Sequence, residues 1–194
     1  MPGRLFCRAF SDTSCTFGRV ILKYNQLDKL EFDEWTMEAV KCVTEYRITK
    51  YNPANRINGA YMTDEWTSIS DIGKVFDGTI LSQDTYLKTE KAYIDCCIEL
   101  IEKAKISKLS IKQAEYYTEN MRFPSSISNA QEIRGVITAC LREQCWLKLI
   151  AKDFFVHFGY DYYMYVGSVL SEETVAVTAT KYGLFCEEHP SPYN

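Results

Sequence analysis

The run 154–167, FFVHFGYDYYMYVG, constrains this chain more than any other stretch, because eight of its fourteen residues are aromatic when His157 is counted. Helices accommodate rings and β-branched side chains poorly at that density, whereas a pleated surface packs them well. The run therefore reads as a long half-buried strand or a tight hairpin, with Gly159 marking a bulge or second turn. Residues 146–151 roughly alternate as a strand does, and Lys152-Asp153 supplies a turn between the two runs. Antiparallel pairing of 146–151 with the aromatic strand follows.

Helical patterns surround this hairpin. Ser82 caps the longest, 83–104, whose apolar stripe of Leu87, Ile94, Cys97 and Ile101 is interrupted by Glu90 and bordered by Tyr86, Tyr93 and Leu100. Ser128 and Gln131 form a capping-box pattern for a helix over 129–145, with Ile133, Val136, Ile137, Cys140 and Leu141 on its apolar face. Ser110 and Gln113 give the same pattern for a short helix to about 119. Asp33 caps a helix over 34–50, and Ser171 one over 172–181 that ends at Gly183. Short strands are predicted at 5–10, 19–24, 59–63, 66–70 and 184–186, with DIGKVFDG (71–78) as a glycine-bearing loop. The tail, 187–194, carries two prolines and is expected to be loosely held. The sum is one α+β domain over 1–194, an antiparallel sheet containing an aromatic hairpin and covered by several helices.

Composition narrows the function. A chain of 194 residues with 46% hydrophobic content buries a real core. Its net charge of −4 and lack of any basic run suit it poorly to gripping phosphate backbones, so no direct contact with nucleic acid is expected. No apolar run approaches the roughly 20 residues needed to span a membrane, and the start, MPGRLFCRAFSDT, has no apolar signal core. The eight cysteines are scattered with no CxxC pair, which points to reduced thiols in a cytoplasmic protein. No phosphate-loop, GxSxG, HExxH or paired-cysteine zinc pattern occurs, so no cofactor, metal or catalytic residue is assigned.

Two residues carry both a chemical and a structural reading. His157 and Asp161 share one face of a straight strand, but four residues along a strand is about 13 Å. A hydrogen bond between them needs Gly159 to fold the chain back, and a structural histidine is the favoured reading. Glu90 sits inside an apolar stripe, where a carboxylate must be paired or shift its pKa. It is expected to be buried against an arginine such as Arg47, Arg134 or Arg142 rather than to act as a catalytic acid.

The run WTSISDIGKVFDGTILSQDTYLKTEKAYI (66–94) and the run LREQCWLKLIAKDFFVHFGYDYYMYVGS (141–168) resemble segments of small bacterial immunity proteins. Those are the cytosolic partners encoded beside polymorphic or contact-dependent growth-inhibition toxins. The resemblance covers under a third of the chain and implies a non-catalytic inhibitor that binds one toxin domain, often a basic nuclease, and blocks its site. The binding face is then expected to combine carboxylates with aromatic anchors, with Asp71 and Asp77 in the glycine loop and Tyr160, Asp161 and Tyr163 around the Gly159 bend as candidates. Two alternatives stand beside it. One is a small enzyme with a pocket around Glu90 or His157, and the other is a regulatory interaction module without a toxin partner.

Overall fold

The computed structural model describes residues 43–58 and 60–193, apart from the side chains of Ala60 and Tyr160. Cys7, Cys15, Cys42, the predicted strands at 5–10 and 19–24 and the first part of the helix predicted over 34–50 lie outside the described residues. The elements in chain order are β1 (Thr44–Thr49), β2 (Arg56–Ile57), β3 (Ala60–Tyr61), β4 (Val75–Phe76), β5 (Thr79–Ile80), α1 (Gln83–Lys103), β6 (Leu109–Tyr116) and β7 (Ser126–Ile127). They continue with α2 (Ala130–Leu141), β8 (Cys145–Ala151), β9 (Phe154–Phe158), β10 (Met164–Ser168), α3 (Glu172–Lys181) and β11 (Phe185–Glu188). Seven strands form one antiparallel sheet in the order β11-β1-β10-β9-β8-β6-β7, so the fold is α+β.

The aromatic run is the centre of that sheet. Ala151 pairs with Phe154 across the Lys152-Asp153 turn, where Asp153 takes φ +58°. After β9 the chain reverses at Gly159, whose N–H donates to the Tyr163 carbonyl at 2.7 Å, and returns as β10. The alternation of a strand then sorts side chains by face. Tyr46 and Ile48, Met164 and Val166, Phe154, Val156 and Phe158, and Leu147 and Leu149 join one core cluster with residues of all three helices. The opposite set forms a row across the sheet, in register from Glu187 through Arg47, Tyr165 and His157 to Lys148.

The helices start where capping chemistry places them. Ser82 accepts from the Thr85 N–H, and Ser171 from the Thr174 N–H. At α3 the Gly183 N–H donates to Thr180 and the Leu184 N–H to Ala179, with Gly183 at φ +73°, a Schellman end. The box at α2 sits one residue later than predicted. Asn129 accepts from the Glu132 N–H at 2.8 Å, while the Glu132 carboxylate accepts from the Ser128 and Asn129 amides. This helix ends at Leu141, short of the predicted 145, because Cys145 already pairs with Tyr116 in the sheet.

Four local expectations are corrected. Residues 44–49 form β1 rather than the end of a helix, since Tyr46 and Ile48 alternate into the core and the strand pairs on both edges. Residues 109–116 form β6 rather than a capped helix, with a bulge between Lys112 and Glu115 where Gln113 takes φ +51°. The stretch 66–70 is not a strand but leads into a 3-10 turn, Ile69–Asp71. Within 71–78, Val75 and Phe76 pair with Ile80 and Thr79 around Asp77 (φ +46°) and Gly78 (φ +74°), a two-residue hairpin turn of the type Asp-Gly favours.

Gly167 tests the packing of the aromatic pair of strands. It lies directly opposite Phe155, and a Cβ placed there would sit 2.1 Å from the Phe155 ring. Gly167→Ala is expected to lower the unfolding free energy by about 1–3 kcal/mol, the usual cost of overpacking. In a double-mutant cycle with Phe155→Ala the penalty shrinks. An unchanged denaturation midpoint for the single variant refutes the account.

Candidate functional site

The site is built on an ion pair between α1 and the end of α2. Glu90 is 5% exposed, and its two oxygens accept from the Arg142 fork at 2.7 and 2.8 Å. Tyr86, one turn earlier on α1, donates a further bond to Glu90 at 3.2 Å. The Glu90 carboxylate in turn holds the Arg142 guanidinium above its ordinary pKa. Of the three arginines considered for Glu90, the structure selects Arg142. Arg134 instead pairs with Asp95, and Arg47 with Glu187.

Immediately beyond this pair lies a cavity of about 470 Å³. Its walls come from four places. Leu141, Glu143, Cys145 and Trp146 belong to the corner where α2 passes into β8; Phe158, Gly159, Asp161 and Tyr162 belong to the β9–β10 turn; Tyr117 follows β6; Thr67 comes from the segment before the 3-10 turn. Tyr162 is the hub that joins them. It is 5% exposed and makes edge contacts with Trp66, Tyr86 and Tyr93, with ring centroids 5.2, 6.2 and 5.4 Å away. The Tyr93 hydroxyl donates to the Tyr162 carbonyl at 2.7 Å. On the other wall the Trp146 indole N–H donates to the Phe158 carbonyl at 2.8 Å. Both aromatic walls are thereby fixed before anything binds.

The predicted site residues fall into different environments. Asp71 is buried and caps its own turn, accepting from the Thr67 and Ser68 amides at 2.8 and 3.1 Å and from Lys74 at 2.8 Å. Burial alone raises its carboxyl pKa, but the Lys74 ammonium and the two amides outweigh it and hold the group below the ordinary range. Its task is to set the Thr67 segment. Asp77 is exposed at the hairpin tip and lines a second cavity of about 250 Å³ with Asp64, Glu65 and Trp66. Asp161 is exposed at the first cavity, in the turn at φ +61°. Tyr163 is half-buried between Tyr51 and Tyr165 beneath the Arg47 guanidinium, which lies 5.1 Å from its ring. The structure therefore brings Asp161 and the Asp71-held Thr67 together, places Asp77 on the neighbouring cavity, and commits Tyr163 to packing. The side chain of Tyr160 lies outside the described residues.

Sequence reasoning missed Trp66, Trp146, Glu143 and Tyr162. The polar triplet Arg142-Glu143-Gln144 between an apolar helix face and an alternating strand was the available signal for Glu143, which takes φ +56° where α2 turns into β8.

His157 stands on the other face of the sheet from the core. It is 1% exposed, with Nε2 2.8 Å from the Ser191 hydroxyl and Nδ1 without a hydrogen-bond partner among the described residues. No contact joins it to Asp161 among the described residues. The partner is the tail, which is packed across the sheet rather than loosely held. The Ser191 N–H donates to Glu45 at 2.6 Å, the Lys148 ammonium donates to the Tyr193 carbonyl, and the Tyr193 ring packs against Trp146, His157 and Tyr165. Burial, and next the nearby Lys148 charge, push the His157 pKa down to about 4.

All five described cysteines are free, and burial pushes Cys97 and Cys186 up to about 12. One described thiol is shifted down: its hydrogen bond with Cys140, at 3.8 Å, lowers the Cys145 pKa from the ordinary value. Among the described residues no group of three or more His, Cys, Asp or Glu is placed to hold a metal ion, and no helix is long and apolar enough to cross a membrane. Compared with protein-family models, curated proteins and solved structures, the chain matches none of them.

Two outcomes are expected from this geometry. Glu90→Gln leaves the Arg142 fork without its charged acceptor and lowers stability by about 1–3 kcal/mol in urea unfolding; an unaltered midpoint contradicts the structural role. For His157 the sign follows from its depressed pKa. From about pH 6.5, the ordinary histidine value, down to about 4 the unfolded chain binds a proton that the folded chain does not. Folding stability therefore falls as pH falls through that window, by at most about 3 kcal/mol, and levels off below it. Unfolding curves for wild type and His157→Gln should diverge between pH 7 and 5, with the variant flatter; parallel pH profiles refute it.

Proposed function

We propose that this protein is a non-catalytic inhibitor that binds one cognate toxin domain and occludes its functional surface, acting in the cytoplasm in the manner of the immunity proteins its sequence resembles. The observation that carries the reading is one arrangement. Asp161 and Glu143 line a cavity walled by Trp146 and Tyr162, and neither carboxylate makes a hydrogen bond or ion pair with the described residues. Asp64 and Asp77 line the adjacent cavity beside Trp66 in the same condition. Other acids are spent inside the fold: buried Glu90 on Arg142, buried Asp71 on Lys74, and half-buried Glu187 on Arg47 and Arg56.

Rigid aromatic walls with carboxylates at their rim suit recognition of a basic protein surface. Desolvated rings supply most of the interface energy, while acidic groups set on-rate and partner choice. The enzyme alternative meets two engaged groups. Both oxygens of Glu90 are held by Arg142, and His157 faces Ser191 beneath the tail.

Co-expression with the toxin encoded in the neighbouring gene tests the proposal. Cells carrying this protein survive, the two proteins co-elute on gel filtration, and raising salt slows association more than it speeds dissociation. If the cells die as fast as controls and no complex elutes, the reading is wrong.

A further inference from the structure

We propose that the cavity between the α2–β8 corner and the Gly159 turn is a receptor for an organic cation, and that its occupant is a lysine or arginine side chain of the protein partner. The choice of occupant rests on the inhibitor reading above; the chemistry of the pocket does not.

The lining decides the class of ligand. The lining includes the aromatic residues Tyr117, Trp146, Phe158 and Tyr162, Asp161 and Glu143 supply two negative charges, and no lysine, arginine or histidine is among the lining residues. An anion would meet two carboxylates with no compensating charge. A neutral apolar group would strip water from those carboxylates and return nothing to them. An ammonium or guanidinium on an aliphatic stem satisfies both demands, because its stem covers apolar wall while its head meets ring faces and carboxylates. The volume, about 470 Å³, falls in the range of roughly 300–1,000 Å³ in which small-ligand sites lie.

The fold solves the same recognition problem within itself, a few residues away. The Lys50 ammonium lies 4.0 Å from the Tyr51 ring and 4.2 Å from the Trp66 ring, with the Glu65 carboxylate at 3.0 Å. Arg56 uses a simpler version, lying over the single ring of Tyr61 at 4.8 Å and paired with Glu187 at 2.8 Å. Two aromatic faces and a carboxylate are thus a working cation site in this molecule. Thr67, the residue after Trp66, borders the cavity that presents the same set. The walls are held in advance by the Trp146–Phe158 and Tyr93–Tyr162 hydrogen bonds, so little ordering is left for binding to supply.

The test uses the full chain and three small probes: the Nα-acetyl methylamides of lysine, arginine and norleucine, the last a neutral analogue of similar length. Binding is followed by amide and indole NMR shifts. The lysine and arginine probes are expected to move the Trp146 indole and the Glu143, Gly159 and Asp161 amides saturably, and the norleucine probe is not. Asp161→Asn combined with Glu143→Gln should weaken the cationic probes by about tenfold or more, the scale of one lost charge-assisted contact, with the melting temperature unchanged. Equal shifts from the norleucine probe, or unchanged binding by the double variant, overturn the proposal. The same variant separates the two ideas. Probe binding without protection from the toxin leaves the pocket and removes the toxin reading. Full protection and an unchanged toxin affinity in the double variant remove the assignment of a partner side chain to the pocket and leave the toxin reading.

Discussion

One buried carboxylate sets the arrangement of everything on the α2–β8 side of the molecule. Glu90 interrupts the apolar stripe of α1, and taking its charge out of water costs several kcal/mol unless the geometry of its partner is good. Arg142 meets that demand with both arms of its fork, and it can do so only as the residue that ends α2. Holding Arg142 there forces the chain to turn at once. Glu143 adopts φ +56°, the Gln144 N–H returns to the Ala139 carbonyl, and Cys145 enters the sheet. The Glu90–Arg142 pair thus anchors the corner whose flanking residues, Leu141 and Glu143, line the cavity. An apolar residue at position 90 would pack as well but would leave the Arg142 guanidinium without this acceptor, so the pair fixes the position of Arg142 more than it adds stability.

The face of the sheet away from the helices obeys a different constraint. Five strands bring Glu187, Arg47, Tyr165, His157 and Lys148 side by side, two rings flanked by charged residues. Such a row of mixed polarity cannot simply be buried. The tail completes it by offering polar groups at the right places: the Ser191 hydroxyl for His157, its amide for Glu45, and the Tyr193 carbonyl for Lys148. Where the row beneath offers only bulk, Gly167 leaves room for the Phe155 ring.

What the sequence disclosed follows the range of the interactions involved. Caps at Ser82 and Ser171, the Lys152-Asp153 turn, the Gly159 reversal and the pairing of β8 with β9 are local, and each was readable from neighbouring residues. Glu90 was legible as buried and paired because a stripe has a period, although the choice among three arginines was not. The failures are non-local. Residues 109–116 carry a helix-start signature, yet their fate is set by β8, 29 to 40 positions away from partner to partner. Residues 187–193 look like a polar, proline-bearing end, but their partners are Glu45, Lys148 and His157. The candidate site was half-legible for the same reason. Asp161 and Asp77 were singled out as acids near glycines, whereas Trp66, Trp146 and Glu143 acquire meaning only when distant segments meet around the two cavities.

Trp146 links the two faces. Its strand position places it in the outer row beside His157, and its indole N–H is held by the Phe158 carbonyl. Its ring packs against Tyr193 of the tail, with centroids 5.8 Å apart, and it also lines the cavity. The tail thus backs the cavity wall without contributing a residue to it. Its hold depends on His157 staying neutral, since a charge on that ring would sit buried near the Lys148 ammonium. Acidification and loss of the tail therefore act on the cavity wall through the same indole. Packing of that kind transmits a change as a shift between discrete arrangements rather than a smooth deformation, because close-packed rings have few intermediate positions to occupy.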